Sequence, residues 1–359
     1  MKRKLMSITL CAAMMGTVFG SAAAVYAGDE GAEQGSVLNI YCWNEEFKTR
    51  ITDHYADYEE VDATTGKIGD ITVNWNITPN DDNAYQNNLD ATLLKQADAA
   101  TDDKIDMFLV EADYSLKYVD SEYTMSVADL GITDADLEKQ YQYTKDVVTD
   151  SNGVLKGLSW QGCPGVLFYN REAAKEVLGT DDPAEVQEYV KDWDAFKSTA
   201  ATMKEAGYSI MSSVNDSYRV YSNNVTSKWV EDGKINIDDN IMKWVEDAKE
   251  LVDAGETGTH ELWSDDWSKG FYPEGKVFCY FGPAWLVNFS MAADTEGSIG
   301  NAGGWGATEG PQGFFWGGTW ICAAEGTDNT EVIKDIMLKM TTDCLLYTSP
   351  SPRDTERSR

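Results

Sequence analysis

Apolar positions along the chain alternate between two periods. Val37-Leu-Asn-Ile-Tyr-Cys-Trp43 is a short run rich in strand-forming residues and predicts a first strand. Phe47, Ile51 and Tyr55 then recur every fourth position, which predicts a helix over 45–58. Ile71 to Ile77 alternates as a strand does. Tyr85, Leu89 and Leu93 predict a helix over 85–97, and Ile105-Asp-Met-Phe-Leu-Val110 a buried strand. Strands alternating with helices predict an α/β lobe with a largely parallel sheet.

The same pattern resumes further on. Gly165 to Tyr169 reads as a strand and Arg171 to Leu178 as a helix. Asp192 is placed to cap a helix carrying Trp193, Phe196, Ala200 and Met203, with Gly207 as its stop. Asp238 or Asp239 is placed to cap another, carrying Ile241, Trp244, Val245, Ala248, Leu251 and Val252 and ending at Gly255. That spacing assigns Trp193 and Trp244 to the core. Val277 to Phe281 predicts a strand that runs into Gly282-Pro-Ala-Trp285. A loop rich in Gly and Trp follows over 300–318, then a strand from Thr319 to Ala324 and a helix from Thr330 to Met340. No internal repeat is visible.

The two ends stand apart from this pattern. Lys2, Arg3 and Lys4, an apolar run from Leu5 to Phe19 and the small residues up to Ala27 form a three-part export signal. It predicts a mature protein outside the cytoplasm, secreted, at the cell surface or in a periplasm. Ser21 stands where a lipid-bearing Cys would sit, so no anchor is expected. Residues 344–359, beginning Cys344-Leu-Leu-Tyr-Thr-Ser-Pro, resemble a translated sequencing adapter and break from the acidic helix before them. They are expected to be non-native, and the fold to be truncated at its C-terminal side.

Composition then narrows the chemistry. The formal net charge of the 359-residue chain is −32, although both ends are comparatively rich in bases. Such a chain repels nucleic acid and anionic lipid, and the acidity reads as a solvated surface. There are two histidines, His54 and His260, far apart, which argues against a zinc site or a Ser-His-Asp triad. The Asp-rich runs lack the spacing of an EF-hand loop, so no metal and no cofactor is expected. No phosphate-binding Gly-x-x-x-x-Gly-Lys loop occurs. Cys42, Cys163, Cys279 and Cys322 are expected to be buried free thiols; their even number permits disulfides, but no spacing specifies one.

Among 12 Trp and 18 Tyr, several fall at strand ends rather than on helix faces: Trp43, Tyr114, Trp160, Trp285, Trp305, Trp316 and Trp320. In open α/β sheets, ligands bind beyond the carboxyl ends of the strands. An indole there can stack on the apolar face of a pyranose ring, while Asn44, Glu45, Glu111, Asp113 and Gln161 supply hydrogen-bonding groups for hydroxyls. Any one of these tryptophans could equally be packing. Their recurrence at successive strand ends favours a site.

Gly153-Val-Leu-Lys-Gly-Leu-Ser-Trp160 and Gly165-Val-Leu-Phe-Tyr-Asn170 resemble the crossover segment of family 1 extracellular solute-binding proteins, which are maltose-binding-protein-like. Trp193-Asp-Ala-Phe196, Gly282-Pro-Ala-Trp285 and Trp316-Gly-Gly-Thr-Trp320 resemble that family's later landmarks in the same order, so that the resemblance spans 37–343. It implies a type II periplasmic-binding-protein-like α/β fold of two hinge-linked lobes, with the ligand in the interlobe cleft. The N-terminal lobe would take 36–160, with 318–343 returning to it, and the C-terminal lobe 161–317. It also implies capture of a sugar, an oligosaccharide from the aromatic count, by a monomer that delivers it to the permease subunits of an ABC importer. Carried over position by position, the ligand contacts are Trp43, Asn44, Glu45, Glu111, Asp113, Tyr114, Trp160, Gln161, Asn215, Asp216, Trp285 and Trp316.

Two rivals share these residue types. A glycoside hydrolase would use Glu45, Glu111 or Asp113 as acid and base, but nothing in the sequence fixes a carboxylate pair at the required separation. The resemblance implies no catalytic residue. A polyamine or other small-solute binding protein would suit the acidic balance and the mix of Trp with Asp and Glu.

Overall fold

Val37–Cys42 (β1) is buried along nearly its whole length, as a strand with neighbours on both sides must be. In the computed structural model, which describes residues 35–342, β1 lies inside a seven-stranded sheet. The expected export signal and the tail from 344 lie outside the described residues. The sheet order is β2 (Tyr58–Glu60), β3 (Thr65–Ile68), β4 (Ile71–Ile77), β1, β5 (Met107–Glu111), β13 (Thr319–Ala323) and β6 (Leu158–Ser159).

β1 runs parallel to β4 and β5, but β2, β3 and β4 form an antiparallel meander. The sheet is therefore mixed where a largely parallel one was expected. The cause is local. Gly69, at a φ of 58°, opens the two-residue turn between β3 and β4, a conformation that favours glycine. The helix expected over 45–58 likewise stops at His54 (α1, Glu46–His54), because Tyr58 is taken into β2. The second predicted helix is α2 (Ala84–Leu93), which buries Tyr85 and Leu89.

A second sheet has the order β12 (Trp305–Thr308), β7 (Gly165–Asn170), β11 (Val277–Pro283) and β8 (Ser209–Met211), and β9 (Val230–Glu231) pairs with β10 (Lys234–Ile235) as a separate hairpin. β7 is antiparallel to both its neighbours and β11 is parallel to β8. The Gly-rich segment expected to be a loop thus contributes an edge strand, with Trp305 opposite Asn170. β11 is buried from end to end.

Helices cover this second sheet, and side-chain caps fix their starts. Asn170 accepts from the backbone N–H groups of Glu172 and Ala173 at the head of α3 (Arg171–Leu178), and Asp192 accepts from Ala195 at the head of α5 (Trp193–Glu205). α4 (Pro183–Val190) was legible in Asp182-Pro183, a capping Asp followed by Pro at the first helical position, yet its apolar pattern is too sparse to announce it. Asp238, rather than Asp239, caps α6 (Asp239–Asp253).

On α6 the buried residues are Ile241, Asp247 and Leu251, while Val245 and Val252 are exposed against expectation. Asp247 takes hydrogen bonds from Tyr221, Lys197 and Lys243, which turns that face of the helix inward. Trp193 and Trp244 pack on the core cluster of Leu167, Phe196, Met203, Ile210 and Phe281, as their spacing predicts. The last described helix, α7 (Thr330–Thr342), buries Ile333, Ile336, Met337 and Met340. The four cysteines among the described residues, Cys42, Cys163, Cys279 and Cys322, are buried free thiols.

The described residues divide into two units. The first holds those up to Val110, Ser115–Leu158 and the chain from Trp320 onward. The second holds Glu111–Tyr114 and Ser159–Thr319.

Candidate functional site

The second unit concentrates the expected chemistry. β11 ends at Pro283, and the short helix Ala284–Phe289 begins there, which sets Trp285 directly beyond a buried strand. Its indole N–H donates to the carbonyl of Trp316 at 3.2 Å. After Trp316 the chain turns through Gly317 and Gly318, at φ 74° and 108°, values that require glycine. A Cβ on Gly317 would lie 3.6 Å from Oε1 of Glu111 and 3.7 Å from Nε1 of Trp285. The turn therefore brings the backbone between an acid and an indole.

Three tryptophans meet at this point. Trp285 and Trp316 pack edge to face with centroids 5.6 Å apart. Trp263 lies 5.5 Å from Trp316 and, in stacked orientation, 6.2 Å from Trp285. Trp316 is only 8 % exposed, whereas Trp263 is 51 % exposed. Trp316 thus supports the group from beneath, and Trp263 is its open ring. Trp263 also holds a φ of 70°, a conformation that costs a bulky residue about 1–3 kcal/mol. Its ring rests edge to face on Trp267, 5.1 Å away.

Beside the rings lies a charged group. Both terminal guanidinium nitrogens of Arg219, Nη1 and Nη2, donate to Asp113, at 2.6 and 2.5 Å, in a two-pronged pair. The Arg219 guanidinium carbon is 5.7 Å from the centre of the Trp316 ring. Glu111, at the end of β5, accepts from the backbone N–H of Asp113 at 2.9 Å. Burial pushes its carboxyl up to about 7; the Asp113 charge adds to this, and the Asp113 N–H and Arg219 oppose it. Burial works against charge on Arg219, but the bonds to Asp113 prevail and hold its pKa above the ordinary value.

The other expected residues fall in several places. The backbone N–H of Tyr114 closes a turn onto the Glu111 carbonyl at 3.1 Å. Trp160 and Gln161 are tied to Thr319: Trp160 N–H donates to its carbonyl, and its hydroxyl donates to the Gln161 side chain at 2.8 Å. Asn215 is exposed. Asp216 corrects the expectation. It is 1 % exposed and accepts from Ser213 N–H and from the Trp267 indole, both at 2.9 Å, so its oxygens are committed to the interior. In the first unit, Trp43 is part-buried edge to face with Tyr85, and Asn44 and Glu45 are exposed at the head of α1. Asn44 accepts from the Glu46 N–H there.

Trp305 and Trp320, grouped above with the strand-end aromatics, are packing residues. Trp305 lies edge to face with Tyr280, and Trp320 is 1 % exposed with its N–H on the Thr144 carbonyl. Sequence reasoning missed Trp263 and Arg219. Trp263 had a signal, since Ser264-Asp-Asp-Trp267 is a helix cap and so leaves Trp263 in the loop before it. Arg219 sits on the five-residue helix Tyr218–Ser222, too short for any periodicity.

A recess of about 250 Å³ in the first unit, lined by Leu93, Leu94, Tyr118 and Tyr123 among others, includes none of the expected residues. Among the described residues, no three His, Cys, Asp or Glu side chains converge as metal ligands. Nor is any described helix long and apolar enough to cross a membrane.

Solved structures share this fold. A family 1 extracellular solute-binding protein superposes with a TM-score of 0.67 at 16% identity, over 84% of this chain and 74% of its own. The sugar-binding protein MalE of Xanthomonas citri gives 0.63 at 15%, over 85% and 74%. The galacto-N-biose-/lacto-N-biose I-binding protein of an ABC transporter from Bifidobacterium longum gives 0.61 at 15%, over 87% and 76%. No curated protein sequence matched. The family model for bacterial extracellular solute-binding proteins matches residues 56–343, and the chain belongs to that family.

Proposed function

We propose that this protein binds a neutral sugar outside the cytoplasm and passes it, as a monomer, to the permease of an ABC importer. The observation that carries this reading is the group formed by Trp263, Trp285 and Trp316 beside Glu111, Asp113 and Arg219. An open indole offers a flat apolar surface for a sugar ring, and the carboxylates and guanidinium offer acceptors and donors for its hydroxyls. The structural relatives include a protein solved with lacto-N-biose and a sugar-binding MalE, which supports the same ligand class.

Trp43, Asn44 and Glu45 in the first unit, and Trp160, Gln161 and Asn215 in the second, are proposed as further contacts. The two units are read as the two lobes of the family. The abundance of aromatics favours an oligosaccharide over a single sugar.

Catalysis is disfavoured by the state of the acids. Asp113 is held two-pronged by Arg219, so it is poorly placed to act as nucleophile or base beside Glu111. The protein is therefore read as a binder rather than an enzyme.

The test is a fluorescence titration against a panel of neutral oligosaccharides, with reducing ends assayed in parallel. Saturable quenching of Trp emission by at least one glycan, without turnover, is the expected result. Release of reducing ends, or no response to any sugar, overturns it.

A further inference from the structure

Aromatic rings next to carboxylates are what an organic cation needs, because the ring face carries negative potential and the acids carry charge. The three tryptophans with Glu111 and Asp113 would meet that requirement, but the structure already fills the position. Arg219 stands over Trp316 and closes both its prongs on Asp113. The guanidinium is only part-exposed, with 28 % of its side chain reaching solvent, so it is set into the group rather than projecting from it.

We infer that Arg219 is a specificity-determining residue, a built-in cation that occupies the cation position over Trp316 and thereby excludes polyamines and similar organic cations from this site. The inference rests on the sugar-binding reading above and deepens it.

The charges follow directly. With Arg219 in place, Asp113 is neutralised, and an arriving ammonium meets a guanidinium at short range. Like charges so placed repel, and the low-dielectric surroundings of a part-buried pair strengthen that repulsion. A neutral sugar suffers no such penalty. Removing the guanidinium leaves the Asp113 carboxylate beside three rings with no internal counter-charge, and Glu111 next to it as a further oxygen ligand for an ammonium. That is a cation site by its chemistry, and its only new element is the missing positive group. No other Lys or Arg is paired with Asp113 among the described contacts. Asp113 lies at a solvent-accessible loop, so the exposed carboxylate can be rehydrated and the variant should fold.

The experiment compares wild type with Arg219→Met and Arg219→Lys by calorimetric titration with spermidine and putrescine, alongside the best glycan from the panel. Wild type is expected to bind the glycan and to show no saturable binding of either amine. Arg219→Met is expected to gain spermidine affinity by about tenfold or more, the size of a desolvated cation–ring contact with a nearby acid. The gain should weaken as salt is raised. Arg219→Lys retains the charge and should not gain.

A folded Arg219→Met protein that ignores both amines overturns the inference while leaving the sugar reading intact. A wild type that binds spermidine and no glycan overturns the sugar reading itself. Thermal melting verifies the fold of each variant. If the Met variant melts early, Arg219→Gln, which keeps a polar side chain of similar reach, carries the same expected gain and the same refutation.

Discussion

The indole N–H of Trp267 donates to Oδ1 of Asp216 at 2.9 Å, in the interior of the second unit. The other oxygen of Asp216 accepts from the backbone N–H of Ser213, which closes a capping box at the start of 214–217. One buried acid thus fixes both a turn and a ring. Trp267 in turn supports Trp263, the open member of the tryptophan group. Asp216 therefore reaches the site through Trp267, although it offers no atom to a ligand.

Replacing Asp216 should expose that dependence. In Asp216→Asn the amide oxygen serves one donor, but the amide N–H₂ faces the other, at a cost of about 1–3 kcal/mol for an unmet buried group. Asp216→Ala leaves both donors unmet and should cost up to about twice as much. Urea unfolding measures the loss. A loss below about 0.5 kcal/mol for the Ala variant would refute this role for the hydrogen bonds.

Trp263 should separate binding from stability. Its side chain is half exposed, so truncation removes less buried area than it would at Trp316. Trp263→Ala is expected to weaken glycan binding by about tenfold or more while lowering unfolding free energy clearly less than Trp316→Ala does. Trp316→Ala should do the reverse in emphasis. That ring is 8 % exposed, and its loss should cost about 3 kcal/mol or more. Equal destabilisation by the two substitutions would contradict the assignment of one ring to the surface and the other to support.

These contrasts mark what the sequence made legible. The order of strands and helices was readable wherever apolar spacing was dense, as in β1, β11 and α5. Capping aspartates placed the starts of α5 and α6, because a side-chain acceptor at a helix N-terminus satisfies orphan N–H groups locally. The antiparallel β3–β4 hairpin and the edge strand at Trp305 were not readable. The first depends on a single glycine turn at Gly69 and the second on a partner, β7, distant in sequence.

The site divides the same way. Glu111, Asp113 and Trp285 were named from their places after strands and Trp316 from the Gly-rich loop before the next one, and the fold brings them together. Arg219 joins them from a short helix across 106 residues of chain, which no local pattern records. Asp216 was named because the resemblance carries a ligand-contacting loop onto it, but only the structure shows it turned inward to Trp267.

The thiols give a prediction independent of ligand. Burial pushes the Cys42 thiol up to about 12, and raises Cys279 and Cys322 as well. Thiolate is the reactive form, so neither solvent access nor ionisation favours reaction in the native state. Native protein should leave Cys42, Cys163, Cys279 and Cys322 unmodified by Ellman's reagent over minutes at pH 8, and denaturant should release all four. Failure to titrate these thiols after denaturation without reductant would indicate disulfides and contradict the structure.

Burial raises the carboxyls of Glu111, Asp216 and Asp106, and the first two, lifted furthest, shape how stability depends on pH. Burial lifts Glu111 from 4.5 to about 7 and Asp216 from 3.8 to about 7. Between the ordinary and raised values, the folded chain keeps protons that the unfolded chain has released. Stability from these groups is therefore full below about pH 4 and declines as pH rises, being lost as pH passes about 7. The acidic surface acts in the same direction, since its mutual repulsion grows as carboxylates ionise. Melting temperature should fall steadily from pH 5 to pH 8. Glu111→Gln removes one of these titrations without adding charge, so its melting temperature should fall less over that range. Asp113 and Arg219 remain in the variant, and their pairing is not altered by the change at Glu111. A variant profile parallel to wild type, or a wild type that becomes more stable from pH 5 to pH 8, would show that Glu111 does not hold its proton in the folded state.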